Sequence, residues 1–305
     1  MARLQDQIGR LIANRKTFSL WQSLGLHLVR ARYDSPIPDT RDFSGARGGD
    51  FWSRRSGLVG VEMNEQGQLD LLTSFHNDFK QEYEELEKGE AGEGRFTFDN
   101  LYMGSVDAEI LYCFVRRYKP RRVIEIGSGF STLLSARALL KNHSEGHSLG
   151  ELIAVEPYPK EFLRRGFPGL SRVITEKVQS LPLDFFMDLQ EDDILFIDSS
   201  HIVKTGSDVC YEFLEILPRL PKGVLVHVHD IFLPSEYPRH QVLDLTIFYN
   251  EQYLLHAFLA FNSAFRVLWA GSFMHLQHPR ELSRAIPSYD HEAHWPGSFW
   301  MQRIL

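Results

Sequence analysis

Apolar and polar positions fall into two textures along the chain. From about residue 104 onward, short β-branched runs alternate with stretches of helical period. RVIEI (122–126), ELIAVE (151–156), RVIT (172–175), DILFID (193–198), GVLVHVH (223–229), FRVLWA (265–270) and SFWMQRI (298–304) read as strands. Helical patterns occupy 105–118, 130–141, 207–217 and 247–262, with a short one near 160–165. Strands that alternate with helices predict an α/β domain over 104–305: a Rossmann-like, doubly wound sheet of seven strands with helices on its faces.

The first 103 residues differ. Leu4, Ile8, Leu11 and Ile12 fall on one helical face near the start. This predicts a helix docked on the core or on a second subunit, the latter making a homo-oligomer. A basic amphipathic helix on a membrane surface is the alternative. DSPIPDTRDFSGARGGD (34–50) reads as an extended loop, rich in Pro, Gly and Asp. Over 64–88, Leu69, Leu72, Phe75, Phe79, Tyr83 and Leu86 form an apolar stripe that ends in KGEAGEGR.

Charge sharpens this division. Residues 1–48 hold eight Lys/Arg against four Asp, a net +4, which leaves −11 for the rest of a chain whose total is −7. The acidic balance, with a pI near 6.0, argues against nucleic acid as a partner. Two cysteines, Cys113 and Cys210, allow neither a disulfide framework nor a zinc-finger spacing. No apolar run reaches the roughly 18 residues of a transmembrane segment, and the start lacks a signal-peptide apolar stretch, so a cytoplasmic protein is expected.

Candidate chemistry gathers at the predicted strand ends. Val123-Ile-Glu125-Ile-Gly127-Ser128-Gly129-Phe-Ser131-Thr132 is a strand, a glycine turn and a helix start. Glycines there let backbone approach a ligand, and the free N–H groups of the helix start bind polar atoms. A dinucleotide loop would place a third glycine at Thr132. Glu156 ends the next strand, about 30 residues on, where a carboxylate can accept both hydroxyls of a ribose. Asp198-Ser199-Ser-His201 and His227-Val-His229-Asp230 end two later strands. Carboxylates and imidazoles converging there could hold a divalent metal or act as acid and base. His227 reads better as a packed histidine.

Over residues 104–304 these motifs resemble a class I S-adenosylmethionine-dependent methyltransferase. FIDSSH, the downstream Asp208 and VHVHD are similar to a bacterial small-molecule branch related to catechol-type and macrolide-sugar O-methyltransferases. The resemblance implies an antiparallel last strand and S-adenosyl-L-methionine at Glu125, Gly127, Ser128, Gly129, Ser131, Thr132, Glu156, Asp198 and Ser199. It also implies Mg²⁺ or another divalent metal on Asp198, His229 and Asp230. His229 departs from the all-oxygen set that suits Mg²⁺, and Ser131 stands where the family has a third glycine. Residues 1–103 would then be a cap or lid that shapes the acceptor pocket, with Phe96, Phe98, Tyr102, Tyr237 and Trp295 as candidate lining, although each taken singly reads better as core packing.

The expected activity is methyl transfer to a small-molecule acceptor at a hydroxyl, with His201 as base and Asp198 beside it. A metal-free N-methyltransferase, a metal-dependent hydroxylase-like protein and a non-catalytic binding module on the same fold stay open.

Overall fold

The computed structural model describes residues 8–9, 11–45, 49–87, 96–98, 100 and 102–305. Leu4 of the expected first apolar face lies outside them. The chain divides into two compact units, one of residues 1–53 and 239–248, the other of 54–238 and 249–305.

The second unit carries a seven-stranded sheet: β1 Arg122–Ile126, β2 Glu151–Val155, β3 Arg172–Ile174, β4 Ile194–Ile197, β5 Leu225–Val228, β6 Phe265–Ala270 and β7 Phe299–Arg303. Their spatial order is β3-β2-β1-β4-β5-β7-β6. Strands β1 to β5 pair in parallel, whereas β7 runs antiparallel to both β5 and β6. This is the expected Rossmann-like sheet with its antiparallel last strand. Both faces of β1, β4 and β5 are buried, which explains their near-continuous apolar sequences.

Two apolar layers cover the sheet. One holds Val123, Phe196 and Trp300 with helices Glu65–Glu87, Asp107–Tyr118 and Phe130–Ser144. The other holds Ile124, Leu195 and Val226 with Val209, Phe213 and Leu255. Helix Glu65–Glu87 belongs to the first layer: Leu72, Phe75, Tyr83 and Leu86 are buried, and Phe75 meets Phe114 edge-on at 5.3 Å.

Several elements depart from the pattern reading. The helix expected over 207–217 is α-helical only over Asp208–Tyr211 and then widens to a π-turn at Glu212–Ile216. The one expected over 247–262 spans Glu251–Leu259. Helices Gly271–Gln277 and Pro279–Ala285 were not anticipated. Pro279 opens the second of these, a position where its missing N–H costs nothing. Strand order reverses beside β1, whose neighbours are β2 and β4. Open α/β sheets bind ligands at the carboxyl ends of the strands flanking such a reversal.

Candidate functional site

The strand ends are held in step by backbone bonds. Gly127 N donates to Val155 O at 3.0 Å, Asp198 N to Ile126 O at 2.8 Å, and His229 N to Ile197 O at 2.9 Å. Gly127 has φ +77°, and a Cβ there would lie 1.8 Å from the carbonyl oxygen of Asp198. Its glycine is therefore demanded by the packing of the β1 turn on the β4 end. At Gly129 a Cβ would meet no atom within 4 Å, so the space beside it is open.

Under this turn lies a buried polar knot. Glu125 accepts from Ser131 Oγ, and Thr132 Oγ1 accepts from Gly129 N at 3.0 Å. Burial, with Asp198 and Glu156 adding to it, pushes the Glu125 carboxyl up to about 8 despite the opposing bonds from Ser131 and Thr132. Glu125, Ser131 and Thr132 thus brace the glycine turn from beneath.

A cleft of about 400 Å³ opens above, lined by Gly127, Glu156, Tyr158, Val178, Gln179 and Asp198 among others. Glu156 accepts from Ser128 N at 3.3 Å and from Tyr158 N at 2.8 Å, which orients its carboxylate and leaves further lone pairs for a ligand. Gln179 Nε2 reaches across to Gly206 O at 3.0 Å. Asp208 accepts from Ser200 N at 3.1 Å and from Ser200 Oγ at 2.5 Å, shaping the loop after β4. Lys177, Gln179 and Lys204 also line the cleft. Gln179 sits in the 3₁₀ turn Val178–Ser180, Lys177 just before it and Lys204 in a loop, none with a motif of its own, and sequence reasoning missed them.

Asp198 belongs both to this cleft and to a second group. His201 Nε2 lies 3.1 Å from Asp198 Oδ1 and 3.6 Å from Asp230 Oδ2, while its Nδ1 is 2.8 Å from Glu251 Oε2. Asp198, His201 and Asp230 each present a ligand atom within 4.8 Å of the others. Both His201 (φ +58°) and Asp230 (φ +55°) are left-handed, a conformation that costs a non-glycine residue about 1–2 kcal/mol. Such strain clusters at functional sites.

Electrostatics couple the group. Burial opposes the charged His201 ring, yet its bonds to Asp198 and Glu251 hold its pKa well above the ordinary value. Burial would raise Asp198, but the charges of His229 and His201 hold it below the usual carboxylate range. Behind them Glu212 is buried and raised by burial, then by Glu251 and Asp208, and it accepts from Ser199 Oγ at 3.0 Å. The π-turn carries Glu212 into this position, and π-turns recur at such sites.

His229 stands apart from the three-ligand group. Its Nδ1 meets His227 Nε2 at 3.2 Å. His227 stacks on Phe196 at 3.9 Å, as expected of a packed histidine, and burial drives its pKa well down. His229 itself is raised: burial opposes its charge, but Asp198, Asp230 and Asp107 outweigh it.

Residues 124–231 match a family model described as a methyltransferase domain. An uncharacterized protein of Archaeoglobus fulgidus is 30% identical over 182 residues, which cover 58% of this chain and 80% of that protein. Residues 124–231 are thus a methyltransferase domain of the class I, S-adenosylmethionine-dependent kind.

The cleft of this methyltransferase suits its methyl donor. Ser128 Oγ, in the glycine turn, and Gln179 Oε1, in the cleft wall, are buried without a hydrogen-bond partner. A buried polar atom left unpaired costs about 1–3 kcal/mol, which a nucleoside's polar groups would recover. The open space beside Gly129 leaves room for it. The expected aromatic lining divides. Phe96 and Tyr237 are buried, whereas exposed Tyr102 stacks on Phe130 at 6.0 Å. Trp295 Nε1 donates to Ser272 Oγ at 2.9 Å.

Proposed function

We propose that this methyltransferase transfers the methyl group of S-adenosylmethionine to a hydroxyl of a small-molecule acceptor, with a divalent cation held by Asp198, His201 and Asp230. The juxtaposition of those three side chains carries the reading, because Asp198 also lines the donor cleft. S-adenosylmethionine supplies an electrophilic methyl on a sulfonium. Gly127, Ser128, Gly129 and Glu156 hold its nucleoside, with Glu156 on the ribose hydroxyls.

Two carboxylates and one imidazole suit Mg²⁺, Mn²⁺ or Fe²⁺, the nitrogen favouring a transition metal. A cation there would lower the pKa of an acceptor hydroxyl. Glu251 supports this role for His201: a carboxylate on Nδ1 turns Nε2 toward the two aspartates, the usual backing of a ligating histidine. This arrangement puts His201 in the ligand set where the resemblance puts His229.

The 3.1 Å contact between His201 Nε2 and Asp198 also favours a second, metal-free reading, in which a proton occupies that contact. His201 is then an imidazolium that anchors the aspartates between turnovers; once its Nε2 proton has passed to solvent, the neutral ring takes the acceptor's hydroxyl proton as the O–CH₃ bond forms and the S–CH₃ bond breaks. Chelation decides between them. Under the first reading EDTA stops methyl transfer, Mg²⁺ or Mn²⁺ restores it, and Asp230→Asn weakens Mn²⁺ retention measured by calorimetry. Undiminished turnover in EDTA leaves only the second.

A further inference from the structure

The unit formed by residues 1–53 and 239–248 buries none of its described side chains. It nevertheless exposes a series of large apolar ones, among them Ile8 (46%), Leu11 (74%), Leu20, Leu24 (62%), Val29 and Tyr33. Apolar area left in water contributes nothing against the conformational entropy lost on ordering a chain. Yet part of this stretch is tied by its own hydrogen bonds. Helix Arg15–Ser23 has a full capping box, with Asn14 Oδ1 accepting from Lys16 N and Thr17 N and Thr17 Oγ1 accepting from Asn14 N. Trp21 Nε1 donates to Ile12 O at 2.8 Å and folds the preceding turn onto the helix. The apolar side chains therefore call for a surface to lie on.

Charge identifies that surface. Between Asp6 and Asp34 the chain carries Arg10, Arg15, Lys16, Arg30 and Arg32 and no acidic residue. Leucines, isoleucines and aromatics are interleaved with these cations through helix and extended chain alike, without a heptad that would specify a partner helix. We infer that residues 8–33 are a peripheral docking surface for an anionic lipid bilayer. The apolar side chains enter the boundary between headgroups and acyl chains, and the Arg and Lys side chains meet the headgroup phosphates. A bilayer accepts such a mixture without the shape match that a folded partner requires. The remainder of the chain, at −12, is repelled by the same lipids, so the protein meets the bilayer by this segment. No described helix is long and apolar enough to cross a membrane, so the segment lies on the bilayer.

Co-sedimentation of the full chain with vesicles tests this. Vesicles of phosphatidylcholine with phosphatidylglycerol should retain the protein at least about tenfold better than phosphatidylcholine alone, and salt should release it. The double variant Leu11→Glu/Leu24→Glu should lose that retention, while Leu214→Glu, an exposed leucine of the other unit (57%), should keep it. Circular dichroism matched to the parent chain confirms that each variant is folded. Wild-type protein left in the supernatant, or a double variant that binds as well as the parent, overturns the inference. So does a wild-type dimer, seen by light scattering, that the double variant dissolves without any vesicle binding. In that case the surface serves a second copy.

Discussion

At the scale of single residues, the two glycines of the β1 turn have different jobs. A side chain at Gly127 collides with the Asp198 carbonyl at 1.8 Å and requires φ +77°. Gly127→Ala should therefore displace the β4 end and destabilise the fold by several kcal/mol, as strained and overpacked sites do. Gly129→Ala adds a methyl to open space. It should leave urea stability within about 0.5 kcal/mol while weakening S-adenosylhomocysteine binding by calorimetry. Equal stability losses in the two variants would contradict this division. Glu125, Gly127, Glu156, Asp198, His201 and Asp230 could be picked out in the sequence because each stands at the end of a strand or in the loop just beyond it, where α/β chemistry concentrates. Glu251 could not. It reaches His201 from 50 residues away, and no local spacing marks it. Glu212 was hidden by the π-turn, which rotates it relative to the regular helix that the apolar pattern suggests.

Among elements, helix Glu65–Glu87 tests where the methyltransferase core begins. Its Tyr83 hydroxyl donates to Ala285 O at 2.6 Å, and its Phe75 packs on Phe114, which in turn stacks on Trp300 of β7 at 3.9 Å. Phe75→Ala should cost about 3–5 kcal/mol in urea unfolding, the loss of a fully buried aromatic. A cost below about 1 kcal/mol would mean that the helix is a detachable lid. The apolar stripe of this helix was plain in the sequence, but its destination was not, because periodicity shows which face is buried and not against what. The strands were legible for the opposite reason. Buried on both faces, β1, β4 and β5 are short apolar runs of the kind a helix-covered sheet accommodates. Helices Gly271–Gln277 and Pro279–Ala285 escaped notice because each is only seven residues long, too short for a stripe to repeat.

For the molecule as a whole, buried acids set the response to pH. Burial is the leading cause that pushes Glu109 up to about 7 and Glu125 up to about 8, and it raises Asp107, Glu212 and Glu251 as well. A carboxyl whose folded pKa exceeds its unfolded value binds its proton more tightly in the native state. Its contribution is complete below the unfolded pKa and is lost as pH rises through the folded one. His201 and His229, also raised, act in the same direction. Asp198 is lowered and acts in the opposite sense, but only below the ordinary carboxylate range. The free protein should therefore lose stability steadily between about pH 5 and 8. Glu109 offers a clean test because it lies outside the cleft. Its carboxylate accepts from Val106 N at 2.7 Å and from Ser288 Oγ. A glutamine keeps an acceptor for the Val106 amide, and the Ser288 hydroxyl can turn to accept from the new amide group. Glu109→Gln should match the parent near pH 5 and exceed it near pH 8 by on the order of 3 kcal/mol, the equivalent of the shift from 4.5 to about 7. Urea titrations across that range read the difference directly. Parallel pH profiles for the two proteins would show that Glu109 stays charged in the folded core and that its burial is compensated by its hydrogen bonds.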